Sequence, residues 1–325
     1  MYEQLVPKVL KQYGVTYEAI LPAQKGYRNE IYPIRTRQDM IQLTFYKREA
    51  GIVERMERAD AVSKHAADWF LPTRQRIDER TIHLKGTTRD VYAGLYNYLP
   101  GSTIAWEAYT KNHIKLLGQT MSNLHGALLD YEGPSPLVID ECEELLDRMM
   151  RYFTDPQVVA AIDAKLGLEV ASLSIFKKLL TKSRELPTQQ LHMDFVRGNI
   201  LFSETTCTDT LSIDDVSVTG ILDFEKTAVG HPLFDVARTL AFLLVDCKYK
   251  TEDQIMRYFL QSGYTKRGSQ SLDYYPQLLE KLIQFFLLHD FYKFLRHTPY
   301  EALEQNEHYV RTRYVLVNRG MVHYI

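Results

Sequence analysis

Cysteine is scarce in this sequence. Cys142, Cys207 and Cys247 are odd in number and far apart, so neither a disulfide framework nor a zinc site is expected, and a reducing, cytoplasmic setting is. Long hydrophobic runs are missing too. The best, Leu233 to Val245, carries Asp235 and Arg238, and nothing approaches the roughly 18 residues that span a bilayer. The opening Met1-Tyr-Glu-Gln has no basic and then apolar leader, so no secretory signal is expected. Charge of one sign is absent: 39 Lys and Arg face 41 Asp and Glu, a formal balance of −2, which gives no global field for nucleic acid. No internal repeat or low-complexity block stands out.

What remains is ordinary for a globular chain. A length of 325 residues with 45% hydrophobic and 25% charged content suits one large domain or two lobes. Tyrosine is the one excess, at 22; such rings pack into a core with their hydroxyls at its edge.

The informative stretch is Leu191 to Leu201, which holds His192, Asp194 and Asn199 ahead of two apolar residues. Downstream, Gly220-Ile-Leu-Asp-Phe-Glu225 ends a second apolar run in acids. The spacing predicts a short loop, a strand, a turn and a second strand that delivers Asp223. Asp194, Asn199 and Asp223 would then meet at one end of a small hairpin. Phosphoryl transfer uses such a set: one carboxylate orients the attacking hydroxyl and takes its proton, while an amide and a second carboxylate hold Mg2+ on the phosphates.

Along the chain, residues 3 to 13 predict a short helix stopped by Gly14. Strands are expected at Tyr17–Leu21, from Glu30 to Arg35, and at Met40–Lys47, the last two as a hairpin. Residues 48 to 69 predict a helix, with Ile52, Val53, Met56, Ala59 and Val62 at helical spacing. A strand pair follows at 81–84 and 92–98. Leu99-Pro-Gly101 is the clearest boundary, because Pro and Gly break the chain before a helical region. Leu117, Met121, Leu124 and Leu128 mark a buried helix over about 113–129. Residues 139 to 185 read as helical and charged, 233 to 244 as a buried helix, and 252 to 325 as further helices. The polar stretch 203–217, with Asp214 and Asp215, reads as a solvated loop tip.

The residues from Leu191 to Asp235 resemble the aminoglycoside phosphotransferase / choline kinase-like family. The pattern His-x-Asp-x-x-x-x-Asn is present as His192, Asp194 and Asn199, followed by Leu222-Asp223-Phe224-Glu225 and Gly230-His-Pro-Leu-Phe-Asp235. The resemblance implies an α+β, bilobal, protein-kinase-like fold, with a small antiparallel N-terminal lobe (residues 1–98) and a larger, mainly helical lobe (99–325). It implies ATP and Mg2+ as cofactors, a small-molecule hydroxyl as acceptor, Asp194 as catalytic base, and Asn199 and Asp223 on the metal. His192 would brace the loop. Arg197 would meet the transferred group or extend into solvent. Asp235 would be a structural acid at a helix start, with Arg238 as its partner, and His125 a packed helix-end residue. Asn97, Tyr98 and Leu99 would form the hinge that pairs with adenine. Glu225 would share a face with Asp223 and reach a second metal or the acceptor.

One departure stands out. Aligned to the family's strand, Thr44 occupies the place of the lysine that neutralises the nucleotide phosphates. Lys47 lies three residues on, on the other face of a regular strand, so a bulge must bring it in or another cation, such as Arg28, must serve. The helix acid that would hold this cation is Glu54 or Glu57. Thr44 also motivates an alternative, a catalytically weak, nucleotide-binding scaffold with the same fold. A kinase acting on proteins is disfavoured because Asp235 comes only twelve positions after Asp223. The acceptor's identity and the oligomeric state are not legible.

Overall fold

The computed structural model describes residues 2–25, 29–47, 49–85, 90–204, 211–265 and 276–325. Arg28, with Gly26, and Cys207 lie outside them.

A short N-terminal helix, α1 (Val6–Tyr13), ends at Gly14, whose φ of 71° is the left-handed cap that glycine adopts without strain. Its apolar stripe (Val6, Val9, Leu10, Tyr13) covers one face of a six-stranded antiparallel sheet. The strands are β1 (Ala19–Ile20), β2 (Gln24–Lys25), β3 (Asn29–Arg35), β4 (Met40–Lys47), β5 (Ile82–Leu84) and β6 (Val91–Asn97), in spatial order β1-β3-β4-β6-β5, with β2 on β3. Alternation decides the faces. Leu43 and Phe45 of β4 go into the core under α1. Tyr46, on the opposite face, packs with Tyr96, Ile52 and Met56 against helix α2 (Ile52–Asp68).

The sheet ends at Asn97 and the chain crosses into a helical body through Tyr98 to Gly101. This crossing is pinned to the body by hydrogen bonds. Ser102 N–H donates to Phe202 O at 3.0 Å, Phe202 N–H donates to Ser102 O at 2.9 Å, and Thr219 Oγ1 donates to Pro100 O at 2.6 Å.

The body is built on helices α3 (Lys111–Ala127), α4 (Val138–Thr154), α5 (Pro156–Leu166), α6 (Ser174–Ser183), α7 (Leu233–Asp246), α8 (Glu252–Met256), α9 (Pro276–His297), α10 (Tyr300–Leu303) and α11 (Glu307–Asn318), with a π-helical stretch at Arg257–Tyr264. One hydrophobic core runs through it. Three small antiparallel pairings are set into this body. β7 (Leu168–Val170) pairs with the terminal β13 (Val322–Tyr324). β8 (Gln189–Leu191) pairs with β12 (Ala228–Gly230). β9 (Ile200–Ser203) and β10 (Ser212–Ile213) flank β11 (Val216–Ile221). Among the described residues no helix is long and apolar enough to cross a membrane.

The expected hairpins and long helices are present, with α3 starting two residues earlier than the periodicity indicated. Two expectations are corrected. The 139–185 region is not helical throughout, since β7 interrupts it, and the tail ends in β13 rather than in helix. Each is a three-residue strand whose partner lies about 150 positions away in the chain, a pairing that no local periodicity records.

Gly101 has a φ of +108°, and a Cβ added there would meet Thr219 Oγ1 and come within 2.7 Å of Phe202 O. Gly101→Ala therefore combines a strained backbone with a steric clash at the lobe crossing. The expected outcome is a loss of about 2 kcal/mol or more, read as a fall of several degrees in the thermal unfolding midpoint.

Candidate active site

The segment after β8 turns sharply. Met193 sits at φ +60°, an unfavourable conformation for a side chain of its size. Asp235, in the first turn of α7 and fully buried, holds it there: its two carboxylate oxygens accept the backbone N–H groups of His192 (2.8 Å) and Met193 (2.9 Å). His125 Nε2 lies 3.2 Å from the same carboxylate, and His125 Nδ1 lies 2.7 Å from Tyr264 Oη. Burial would raise the Asp235 carboxyl, but the hydrogen bond and charge of His125, with His192, hold it below its ordinary range.

His192 is also fully buried, and burial keeps its ring neutral. Its Nδ1 accepts the Asp194 N–H at 3.1 Å. The proton therefore sits on Nε2, which donates to Leu222 O at 3.0 Å. One histidine thus ties the loop carrying Asp194 to the residue before Asp223. A second tie runs alongside through β8 and β12, where Thr227 Oγ1 donates to Leu191 O at 2.6 Å. Asp223 adopts a left-handed conformation at φ +60°, which Asp tolerates better than most residues.

Asp194 lies at the centre of a cleft of about 1020 Å³ between sheet and body. Its Oδ1 receives Lys226 Nζ at 2.8 Å and Arg238 Nη2 at 3.3 Å. Its Oδ2 receives Asn199 Nδ2 at 3.1 Å. Burial pushes the carboxyl up, and Lys226 and Arg238 outweigh it, so Asp194 stays below the usual carboxylate range. Since the Asn199 amide nitrogen is used on Asp194, its Oδ1 is the atom left for a ligand. Asp194, Asn199 and Asp223 all line this cleft.

The chain's other expected site residues divide. Tyr98 and Leu99 line the cleft. Asn97 does not: its Oδ1 accepts the Gln75 N–H at 2.7 Å. Lys47 is exposed at the end of an unbroken ladder, with no bulge to swing it round, and is not a lining residue. Arg197 is turned toward the far end of α7, with Nε 3.7 Å from Asp246. Arg238 pairs with Asp194 rather than with Asp235. Glu225 is not on an extended segment, because Phe224–Lys226 forms a 3-10 turn. The turn aims Glu225 at Asn29 of β3 (2.8 Å) and Arg55 of α2 (3.8 Å).

A partly buried cation lines the cleft from a position that the strand pattern did not indicate. Arg74 lies on the segment after α2, where Thr73 bridges to Ile221 and Arg76 to Tyr96. Its guanidinium stacks 4.1 Å over the Tyr96 ring and donates to Tyr46 Oη at 3.0 Å. The ring has room because Gly94 lies beneath it; a Cβ there would approach the Tyr96 ring to 2.7 Å. Thr44 faces Gly94 across the ladder, fully buried, and its Oγ1 has no hydrogen-bond partner among the described residues. The acid on α2 that serves this cluster is Asp60, ion-paired with Arg76. Glu54 and Glu57 are exposed. The sequence signal for this cluster was Arg74-Gln-Arg76 after Pro72, where spacing by two on an extended segment puts both arginines on one side.

Comparisons with known proteins place the chain in a family and a fold. The family model described as the phosphotransferase enzyme family matches residues 19–261. A microcompartment-associated aminopropanol kinase superposes with a TM-score of 0.66 at 15% identity, covering 98% of each chain. A thermostable mutant of the aminoglycoside phosphotransferase APH(4)-Ia, solved with AMP-PNP and hygromycin B, superposes at 0.60 and 15% identity, covering 97% of this chain and 98% of that one. An aminoglycoside 2'-phosphotransferase solved with GDP gives 0.54 at 14% identity, covering 98% and 96%. No curated protein sequence matches. These likenesses show the expected α+β, protein-kinase-like fold.

Replacing Asp235 by Asn leaves one acceptor oxygen where two are used and points an N–H2 at a backbone N–H. Asp235→Asn is expected to cost about 2–4 kcal/mol of stability. Thermal unfolding checks this, with a parallel loss of turnover as the Met193 turn relaxes.

Proposed function

The chain belongs to the phosphotransferase enzyme family, and on that premise we propose that it is an ATP- and Mg2+-dependent kinase of a small-molecule hydroxyl, with its lobes dividing at Leu99. The observation that carries this is the convergence of Asp194, Asn199, Asp223 and the Arg74 guanidinium on one cleft, roomy enough for a nucleotide and a small acceptor together.

The donor set fits the proposed cation. Asn199 Oδ1 and the Asp223 carboxylate are hard oxygen ligands, and Mg2+ takes one or two carboxylates with phosphate and water oxygens completing its shell. Among the described residues there is no cluster of three or more His, Cys, Asp or Glu that would form an all-protein cage. Magnesium, when bound, neutralises phosphate charge.

The protein's own groups do the rest. Asp194 orients the acceptor hydroxyl and takes its proton. The hydroxyl oxygen bonds to the γ-phosphorus as the bond to the β,γ-bridging oxygen breaks, and ADP leaves. Lys226 and Arg238 keep Asp194 ionised and fixed in place. Arg74 supplies the positive charge that Thr44 cannot, which supports the kinase reading over the scaffold alternative. Tyr98 and Leu99, beyond the end of the β4–β6 ladder, offer backbone groups to the adenine.

Asp194→Asn is expected to lower kcat by about 10²–10⁴ while ATP still raises the melting temperature. No activity difference between it and wild type would refute the assignment. Arg74→Met is expected to weaken ATP binding by roughly ten- to a hundredfold, about 1–3 kcal/mol, by calorimetric titration.

The pH profile carries its own test. Because Lys226 and Arg238 hold Asp194 below its ordinary value against the upward push of burial, the acid limb of kcat/KM is expected below the usual carboxylate range. Lys226→Met leaves burial less opposed, raises the carboxyl and moves the limb upward. A limb that stays in place would separate Lys226 from the base.

A further inference from the structure

The cleft continues past Asp194 toward α4, α7 and α9, and this end has a character of its own. Phe286, His289, Lys293 and His297 recur at helical spacing, so one face of α9 lines it. Arg238 from α7 and Lys226 approach from the other side.

Charge is unevenly distributed here. Outside Asp194, the cations Arg148, Lys226, Arg238 and Lys293 are met by Glu141 and Glu144 and, on α9 itself, by Asp290, which leaves one more cation than acid. Glu144 is 3.7 Å from Arg148, on the exposed rim. Lys293 is ion-paired with Asp290 at 2.8 Å and is about half exposed, so it can turn toward a bound solute. Burial, then Lys293, Arg238 and Lys226, push His289 down to about 3, against the pull of Asp290. His289 is therefore a neutral hydrogen-bonding group in a positive field.

Two buried donors or acceptors at this end have no partner among the described residues: Arg238 Nε and His289 Nδ1. Buried polar groups are paired in the great majority of cases, and unpaired ones call for an explanation. Arg238 also lies 5.6 Å over the Phe286 ring and 5.7 Å over that of Phe242, which fix its guanidinium plane. A planar, positioned guanidinium with an unused N–H suits a carboxylate or phosphate oxygen.

We propose that this end of the cleft, formed by Arg238, His289 and Lys293 beside Lys226, selects an alcohol bearing an anionic group, a carboxylate or a phosphate. The proposal deepens the kinase reading and rests on it. The anion takes the Arg238 Nε–H, stays beside Lys293, and so holds the hydroxyl at Asp194. A cationic amino alcohol meets its own sign at the same place.

The test fills the nucleotide end with AMP-PNP and Mg2+ and then reads the thermal unfolding midpoint with glycerate, glycerol phosphate, glycerol and serinol. Glycerate or glycerol phosphate is expected to raise the midpoint, while glycerol and serinol leave it unchanged; which of the two anions acts distinguishes carboxylate from phosphate. Lys293→Glu is expected to abolish that rise and to admit serinol, with the shift from AMP-PNP alone unaltered. ADP release from ATP should follow the same order, with kcat/KM for the better anion about tenfold or more above that for glycerol. A serinol shift in the wild type, or no response to either anion while AMP-PNP itself still stabilises, overturns the proposal alone. Absence of any AMP-PNP shift overturns the nucleotide reading beneath it.

Discussion

The carboxylate of Asp235 is the constraint on which the site depends. It is fully buried and ionised, and it is satisfied by two backbone N–H groups and His125. Burying a charge is costly unless every lone pair finds a donor, so the arrangement holds only while the His192–Met193 turn is present. The turn in turn is strained at Met193 and holds only while the carboxylate is there. Each pays for the other, and the product is a fixed Asp194. The second brace, His192 from Asp194 N–H to Leu222 O, extends the rigidity to Asp223. Asp194, Asn199 and Asp223 therefore belong to one hydrogen-bonded unit rather than to two flexible loops.

If the proposed nucleotide end is right, the fold keeps a charge there while changing the residue that carries it. A lysine at Thr44 would project from the cleft face of β4. Here that face carries small groups, Thr44 and Gly94, and Tyr96 folds over the space they leave. Arg74 then stacks on the ring from outside the sheet. The cation arrives from a segment that also bridges to β11, the strand that delivers Asp223. Moving the charge from a strand to this bridge couples the sheet to the Asp223 end of the cleft through one segment. Arginine suits the position better than lysine because it stacks on an aromatic face and still has N–H groups to spare.

Much of this was readable in the sequence, for physical reasons that also mark where reading stopped. Asp194, Asn199 and Asp223 announce themselves because their spacing is local and their strands are apolar. The helices from α2 to α4 announce themselves by periodicity. Lys226, Asp60 and Arg74 do not, since each acts across the fold on a residue tens of positions away. Arg197 and Glu225 misled for a related reason: short 3-10 turns at Arg197–Asn199 and Phe224–Lys226 rotate side chains off the face that an extended reading assigns. The turn at 224–226 exchanges the two neighbours, sending Glu225 to the sheet and Lys226 to Asp194.

That exchange bears on how the chemistry must run. On the proposed reading Asp194 is the base, and a base held below its ordinary value is a weak one, so it would not remove a proton from a free alcohol in advance of attack. Proton transfer has to come late, once the oxygen has begun to bond to phosphorus and its acidity has risen. Acceleration then comes from alignment and from charge neutralisation around a loose, phosphoryl-like transition state. The placement of cations fits that demand. Arg74 would face the proposed nucleotide side, and Lys226 and Arg238 hold Asp194 rigid. With Thr44 where the lysine is expected, positive charge is spread along the cleft instead of standing at one point. An overall balance of −2 conceals this, because a sum over the whole chain carries no record of where its charges are placed.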